Sequence, residues 1–163
     1  MALTTLDIKE PGLNVLPPGV ERHVVNAGGL TGLQILPDDE IEIINDEGNQ
    51  ICELICFDKD GKSELGILNL KENSKKSFIK EILKRKDESS LITNFQLKKR
   101  NLDINKSKSS ILFDDKTPSG EKIKIKSKDK CYVIFSAPQN DMLVSEQNPS
   151  SDLTIFIKRA KII

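Results

Sequence analysis

Residues 40–58 read EIEIINDEGNQICELICFD. The fold turns on whether this stretch is two strands or a helix carrying two cysteines. Residues 40–44 alternate polar and apolar, the period of a strand with one buried face. Asn45-Asp46-Glu47-Gly48 then supplies turn chemistry, and Ile51, Ile55 and Phe57 are residues that favour strands. Asp58-Lys59-Asp60-Gly61 closes the second strand with another turn. On a helix Cys52 and Cys56 would share a face and could share a metal. On a strand they lie about 13 Å apart, at ~3.3 Å per residue, too far for a common zinc or a disulfide. Both thiols are therefore read as core residues on the face of Leu54, and Cys131, which opens a later apolar strand, is read the same way.

Further strands follow on either side. RHVVNA (22–27) and LTGLQIL (30–36) flank a Gly28-Gly29 turn. EKIKIKSK (121–128) alternates strictly, with Ile123 and Ile125 inward. CYVIFSA (131–137) is apolar on both faces, as a central strand should be, and LTIFIK (153–158) follows a polar loop over 138–152. Between these blocks, SKKSFIKEILKRK (74–86) places Phe78, Ile79, Ile82 and Leu83 on one helical face, with Asn73 or Ser74 as N-cap and Glu81–Arg85 as an i,i+4 pair. Residues 87–115 are polar and weakly patterned. They are expected to hold short strands in ITNFQLK (92–98) and SSILFDD (109–115), with a mobile loop over 101–109. These elements predict a mainly β fold: an antiparallel barrel or sandwich of about 7–9 short strands with one helix. Residues 1–21, broken by Pro11-Gly12 and Pro17-Pro18-Gly19, form an extended lead-in to a single β-rich domain over 22–163.

The 163 residues suit one domain, and 25 basic side chains balance 25 acidic ones. A domain that lives on phosphate contacts carries a basic excess, so nucleic acid is not an expected partner. No run approaches the ~18 apolar residues of a membrane helix, and the N-terminus lacks a secretory pattern. An odd number of cysteines without a C-x-x-C pair fits a reducing compartment, and the cytoplasm is the expected location. The closing run DLTIFIKRAKII ends without a polar tail, which predicts that another domain follows.

Composition and spacing name no catalytic set. His23 is the sole histidine, so no two-histidine metal site can form within one chain, and it is read as a surface or capping residue. Lys98-Lys99-Arg100 is read as a solvated strand end. Two polar clusters remain: Asn49, Gln50 and Glu53 beside the first turn, and Gln139 with Asp152 in the loop before the last strand. Amides at strand ends commonly cap backbone groups, but loops at one end of a sheet are also frequent binding sites. These five residues are the candidate ligand-binding set, with no catalytic residue and no metal ligand assigned.

At these residues the chain resembles known families. DDEIEIINDEGNQICELICFD (38–58) is similar to the signature of the urea carboxylase-associated family. Asp46 to Gln50 match as they stand, and Glu53 occupies a position where that family often has Asp. SAPQNDMLVSEQNPSSDLTIFI (136–157) is similar to the family's closing motif, with Ala137-Pro138 in place of Cys-Pro. Members with a metal site draw on histidines that this chain lacks, so that site is not carried over. LPPGVERHVV (16–25), GGLTGLQILPDDE (28–40) and QNPSSDLTIFIKRA (147–160) also resemble a segment found N-terminal to folate-dependent aminomethyltransferases of the glycine cleavage T-protein type. This second resemblance implies an accessory domain, non-catalytic by itself, that docks on the transferase domain or binds a small amine or amino acid. Tetrahydrofolate would then belong to the parent protein. The alternative is a stand-alone small-molecule binder or enzyme of the urea carboxylase-associated type, with Gln50, Glu53, Gln139 and Asp152 converging on one pocket.

Overall fold

The computed structural model describes residues 16–74, 77–139 and 150–161. Eight strands run through them: β1 (Val20–Val25), β2 (Leu30–Ile35), β3 (Glu40–Asn45), β4 (Cys52–Asp58), β5 (Ser109–Leu112), β6 (Glu121–Lys126), β7 (Cys131–Ser136) and β8 (Leu153–Lys158). They form two four-stranded sheets, ordered β1-β8-β3-β6 and β2-β7-β4-β5, with every pairing antiparallel. The chain changes sheet at every connection except β4 to β5, which is the strand order of a double-sheet jelly roll. The sheets are not closed into a barrel, so the architecture is the sandwich of the two expected alternatives. β1 begins at Val20, inside the stretch read as lead-in, and residues 1–15 lie outside those described.

The inner faces meet in a continuous apolar layer. Ile41, Ile43, Ile155 and Ile157 of one sheet oppose Leu33, Leu54, Val133 and Phe135 of the other. Cys52 and Cys56 share that face with Leu54, Cys131 joins them, and all three are buried free thiols. Burial pushes the Cys52 thiol up to about 12, so it stays protonated. Cys56 is raised too, first by its hydrogen bond with the Cys131 thiol and then by burial. Edge strand β6 turns Ile123 and Ile125 inward, while Lys122, Lys124 and Lys126 face out. Outward lysines on an edge discourage pairing with further strands.

β4 and β7 are buried on both faces because the 59–108 connection covers the outer side of their sheet. It contains a 3-10 turn (Leu65–Leu68), helix α1 (Phe78–Ile82), helix α2 (Glu88–Lys99) and a second 3-10 turn (Ile104–Lys106). Ile79, Ile82, Leu83 and Leu97 pack on Ile55, Phe57 and Ile134, with Leu102 and Ile104 against them. The loop expected to be mobile over 101–109 is thus partly a 3-10 turn packed on this layer, leading into β5.

The helical region differs from the sequence reading in its bounds, its caps and its main helix. The helix expected over 74–86 is only Phe78–Ile82, capped by Ser77, whose side chain accepts from the amide of Lys80. Asn73 is not a cap: its side chain makes a donor–acceptor pair with the backbone of Ile111 at the sheet edge. Glu81 pairs with Lys84 at 3.3 Å, while Arg85 donates to the carbonyl of Gly28. The main helix is α2, where ITNFQLK was expected to be a strand. Asp87 caps it by accepting from the amide of Ser90, and Ser90 Oγ and Asn94 Nδ2 donate to the carbonyls of Ile82 and Leu83. These bonds override the strand preference of Ile92, Thr93 and Phe95. Lys98-Lys99-Arg100 therefore closes a helix, where basic residues suit the dipole, and does not end a strand. No helix among the described residues is long and apolar enough to cross a membrane.

Substituting Cys52 or Cys56 by Ala should cost about 1 kcal/mol each, as for a modest core truncation, and leave bound zinc unchanged. Urea unfolding with metal analysis of the same samples checks both; zinc lost with the substitution would contradict the core-thiol assignment.

Candidate functional site

The Asp46–Gln50 turn joins the two sheets. Gly48 has φ +79°, and a Cβ there would sit 2.7 Å from both the Ser119 nitrogen and the Thr117 oxygen. Only glycine meets both the torsion and the space. The turn thus lies flat on residues 117–120. The amide of Asn49 donates to Thr117, that of Gly120 to Asn45, and Ser119 Oγ to Asp46.

Gln50 is buried and works as a latch. Its Nε2 donates to the carbonyls of Ile51 and Pro138, both at 2.8 Å, and its Oε1 accepts from the amide of Ser151 at 2.8 Å. Asn45 Nδ2 donates to the Gln50 carbonyl at 2.6 Å. Asp152 accepts from the amide of Ala27 at 2.7 Å, and Asp46 accepts from Thr154 Oγ1 at 2.6 Å. Gln50 therefore meets the segments that carry Gln139 and Asp152, while Asn49, Gln139 and Asp152 are themselves exposed. Residues 140–149 of the closing motif lie outside those described.

Glu53 goes elsewhere. Cys52 and Leu54 face the inner layer, so Glu53 turns to the helical side of the sheet. There it is fully buried, and its Oε1 accepts from the amide of Ile79 at 2.5 Å, at the start of α1. Burial pushes its pKa up, opposed by hydrogen bonds from Ser109 and the backbone of Ile79. Glu53 thus anchors α1 while Gln50 binds the strand ends, and the two side chains serve different layers.

A cleft on the helical side escaped the sequence reading. It encloses about 290 Å³ and is lined by Gln34, Asp58, Lys59, Arg100, Lys130 and Tyr132 among others. Arg100 stacks on the Tyr132 ring at 4.4 Å, a cation–π contact. Burial raises the Tyr132 pKa, so the phenol stays neutral. Its hydroxyl crosses β2 at Gly32, where a Cβ would overlap it. A glycine inside a strand marks such close approach, and Gly32 within LTGLQI was the available signal. A second polar clasp, also unread, closes the far end of β3. Arg159 pairs with Glu21 at 2.8 Å and with buried Asp39 at 2.7 Å.

The fold and these polar contacts define a double-sheet β-sandwich with a helical layer on one face. No family model matches the chain. Over 153 residues, 94% of its length, it is 32% identical to the trimethylamine-oxide aldolase of Ruegeria pomeroyi. The match spans 19% of that relative, so the chain corresponds to about a fifth of a larger protein.

Two substitutions probe the site. Gly48→Ala should cost about 2 kcal/mol or more through its torsion and backbone overlap, measured by urea unfolding. For Glu53 the folded pKa lies above the ordinary value near 4.5. The native state then keeps a proton that the unfolded state releases, so wild-type stability falls as pH rises through and above that value. Glu53→Gln retains an acceptor for Ile79 without the ionisation. Its stability relative to wild type should therefore improve between about pH 4 and about pH 7. An unchanged difference at the two values would contradict the buried-carboxyl account.

Proposed function

We propose that the chain is an accessory domain of a larger enzyme, non-catalytic by itself, whose catalytic chemistry resides in a folate-dependent aminomethyltransferase-type part. The observation that carries this reading is the alignment: nearly the whole chain corresponds to a fifth of a trimethylamine-oxide aldolase. The resemblance to segments preceding T-protein-type transferases points the same way and would place tetrahydrofolate in that other part. Two structural features support it. The interior of the sandwich is filled by Ile, Leu, Phe and Cys side chains, leaving the jelly-roll centre to packing. The Gln50 side chain holds loops, and Oε1 of Glu53 holds the start of a helix. The role of the domain is then to dock on the transferase part, with trimethylamine oxide or a related small amine as the substrate of the whole.

The test compares the isolated chain with the Ruegeria pomeroyi relative, intact and lacking the matching fifth. The isolated chain should fold cooperatively and leave trimethylamine oxide unchanged, and the deletion should lower the relative's activity or stability. Turnover by the isolated chain, or a deletion with no effect on either property, would overturn the reading. Saturable binding of a small amine or amino acid that Arg100→Ala abolishes would favour a small-molecule binder whose site is the Arg100–Tyr132 cleft, and not the Gln50, Glu53, Gln139 and Asp152 pocket of the alternative reading.

A further inference from the structure

Helix α2 presents an unusual outer face. Ser90, Thr93 and Leu97 point into the protein, while Leu91, Ile92 and Phe95 are 56%, 55% and 60% exposed. At 100° per residue, Glu88, Ile92, Phe95 and Lys99 fall within about 60° of one another, directly opposite the buried side. The outer stripe therefore reads acid, apolar, apolar, base along the helix. Glu88 and Lys99 are both exposed, and neither enters an ion pair among the described residues.

This stripe is complementary to itself when reversed. The midpoint between positions 88 and 99 coincides with the midpoint between 92 and 95. A two-fold axis through that point lays α2 antiparallel on the α2 of a second copy. It pairs Glu88 with Lys99 at both ends and Ile92 with Phe95 twice in the centre. A two-fold contact requires this reciprocity, each residue meeting a partner that meets it in return. Beside the stripe lies a recess of about 350 Å³, lined by Leu30, Gly32, Glu88 and Ile92 among others, which adjoins the place where the second copy's Phe95 would rest. Charge and apolar order agree on one register, whereas an unrelated partner would require neither agreement.

We infer that the outer face of α2 is a homodimer interface, formed by antiparallel pairing of α2 with its copy about a two-fold axis near residues 93 and 94. A single helix pair is a small contact, below the size of stable interfaces, so the dimer is expected to be weak, with a micromolar dissociation constant.

Analytical ultracentrifugation of the 163-residue chain at low salt tests it, with circular dichroism to verify folding. Wild type should dimerise in the micromolar range, and Phe95→Asp should be monomeric there while keeping its helical signal. Glu88→Lys or Lys99→Glu alone should weaken association about fivefold or more, since each change turns two attractions per dimer into repulsions. The double variant Glu88→Lys with Lys99→Glu should recover wild-type affinity. A wild-type chain that stays monomeric into the high-micromolar range overturns the proposal, as does a dimer that Phe95→Asp leaves intact. Single reversals that weaken association without recovery in the double variant overturn the stated register.

Discussion

The Asp46–Gln50 turn is the constraint on which the arrangement of this fold depends. It must carry the chain from one sheet to the other while lying against the backbone of residues 117–119, and Gly48 is the residue that lets it approach so closely. Once the turn is seated, the Gln50 amide reaches the carbonyl that follows β7 and the amide that precedes β8. One side chain thereby fixes the ends of three strands from two sheets. Because the Gln50 side chain is buried, an unmade bond would leave its polar atoms without water, and the latch is correspondingly costly to open. The position of β4 follows from it, and with β4 the outward carboxyl of Glu53 that receives α1.

This geometry divides the molecule by role. The space between the sheets is packed with aliphatic, aromatic and thiol side chains and contributes cohesion. Polar clasps close both ends of β3, through Gln50 at one and Arg159 at the other. Two features that can meet another molecule involve the long β4–β5 connection: the Arg100–Tyr132 cleft and the exposed stripe of α2. That connection is also the region where the resemblance to known families is poorest, so the core and the outward-facing layer carry separate information.

Most of the strand framework was legible because half-buried strands betray themselves by alternation. EIEII and EKIKIK each show one apolar face, and CYVIFS is apolar on both because helices cover the outside of its sheet. The helices were misread for an equally physical reason. α2 hides Ser90 and Thr93, which hydrogen-bond or pack closely, and exposes Leu91, Ile92 and Phe95. Three of its four large apolar residues, all but Leu97, mark the outer face, so the usual inference from amphipathic pattern to buried side points the wrong way. The separation of Gln50 from Glu53 follows from strand parity: Cys52 and Leu54 face inward, so Glu53 must face out. Gly32 was a readable sign of the Tyr132 crossing, but a lone glycine does not say which side chain approaches it.

Local chemistry by itself determined the β class, the core role of the cysteines and the presence of a turn over residues 45–48, because torsional preference and two-residue periodicity act over neighbours in sequence, whereas the close approach to residues 117–119 that demands glycine at 48 is tertiary. Tertiary structure alone decided what the polar residues do. Gln50 meets partners 88 and 101 positions away, Glu53 meets one 26 positions away, and Arg159 closes on residues more than a hundred positions earlier. Such bonds depend on which strands become neighbours, and that depends on the packing of the whole sandwich.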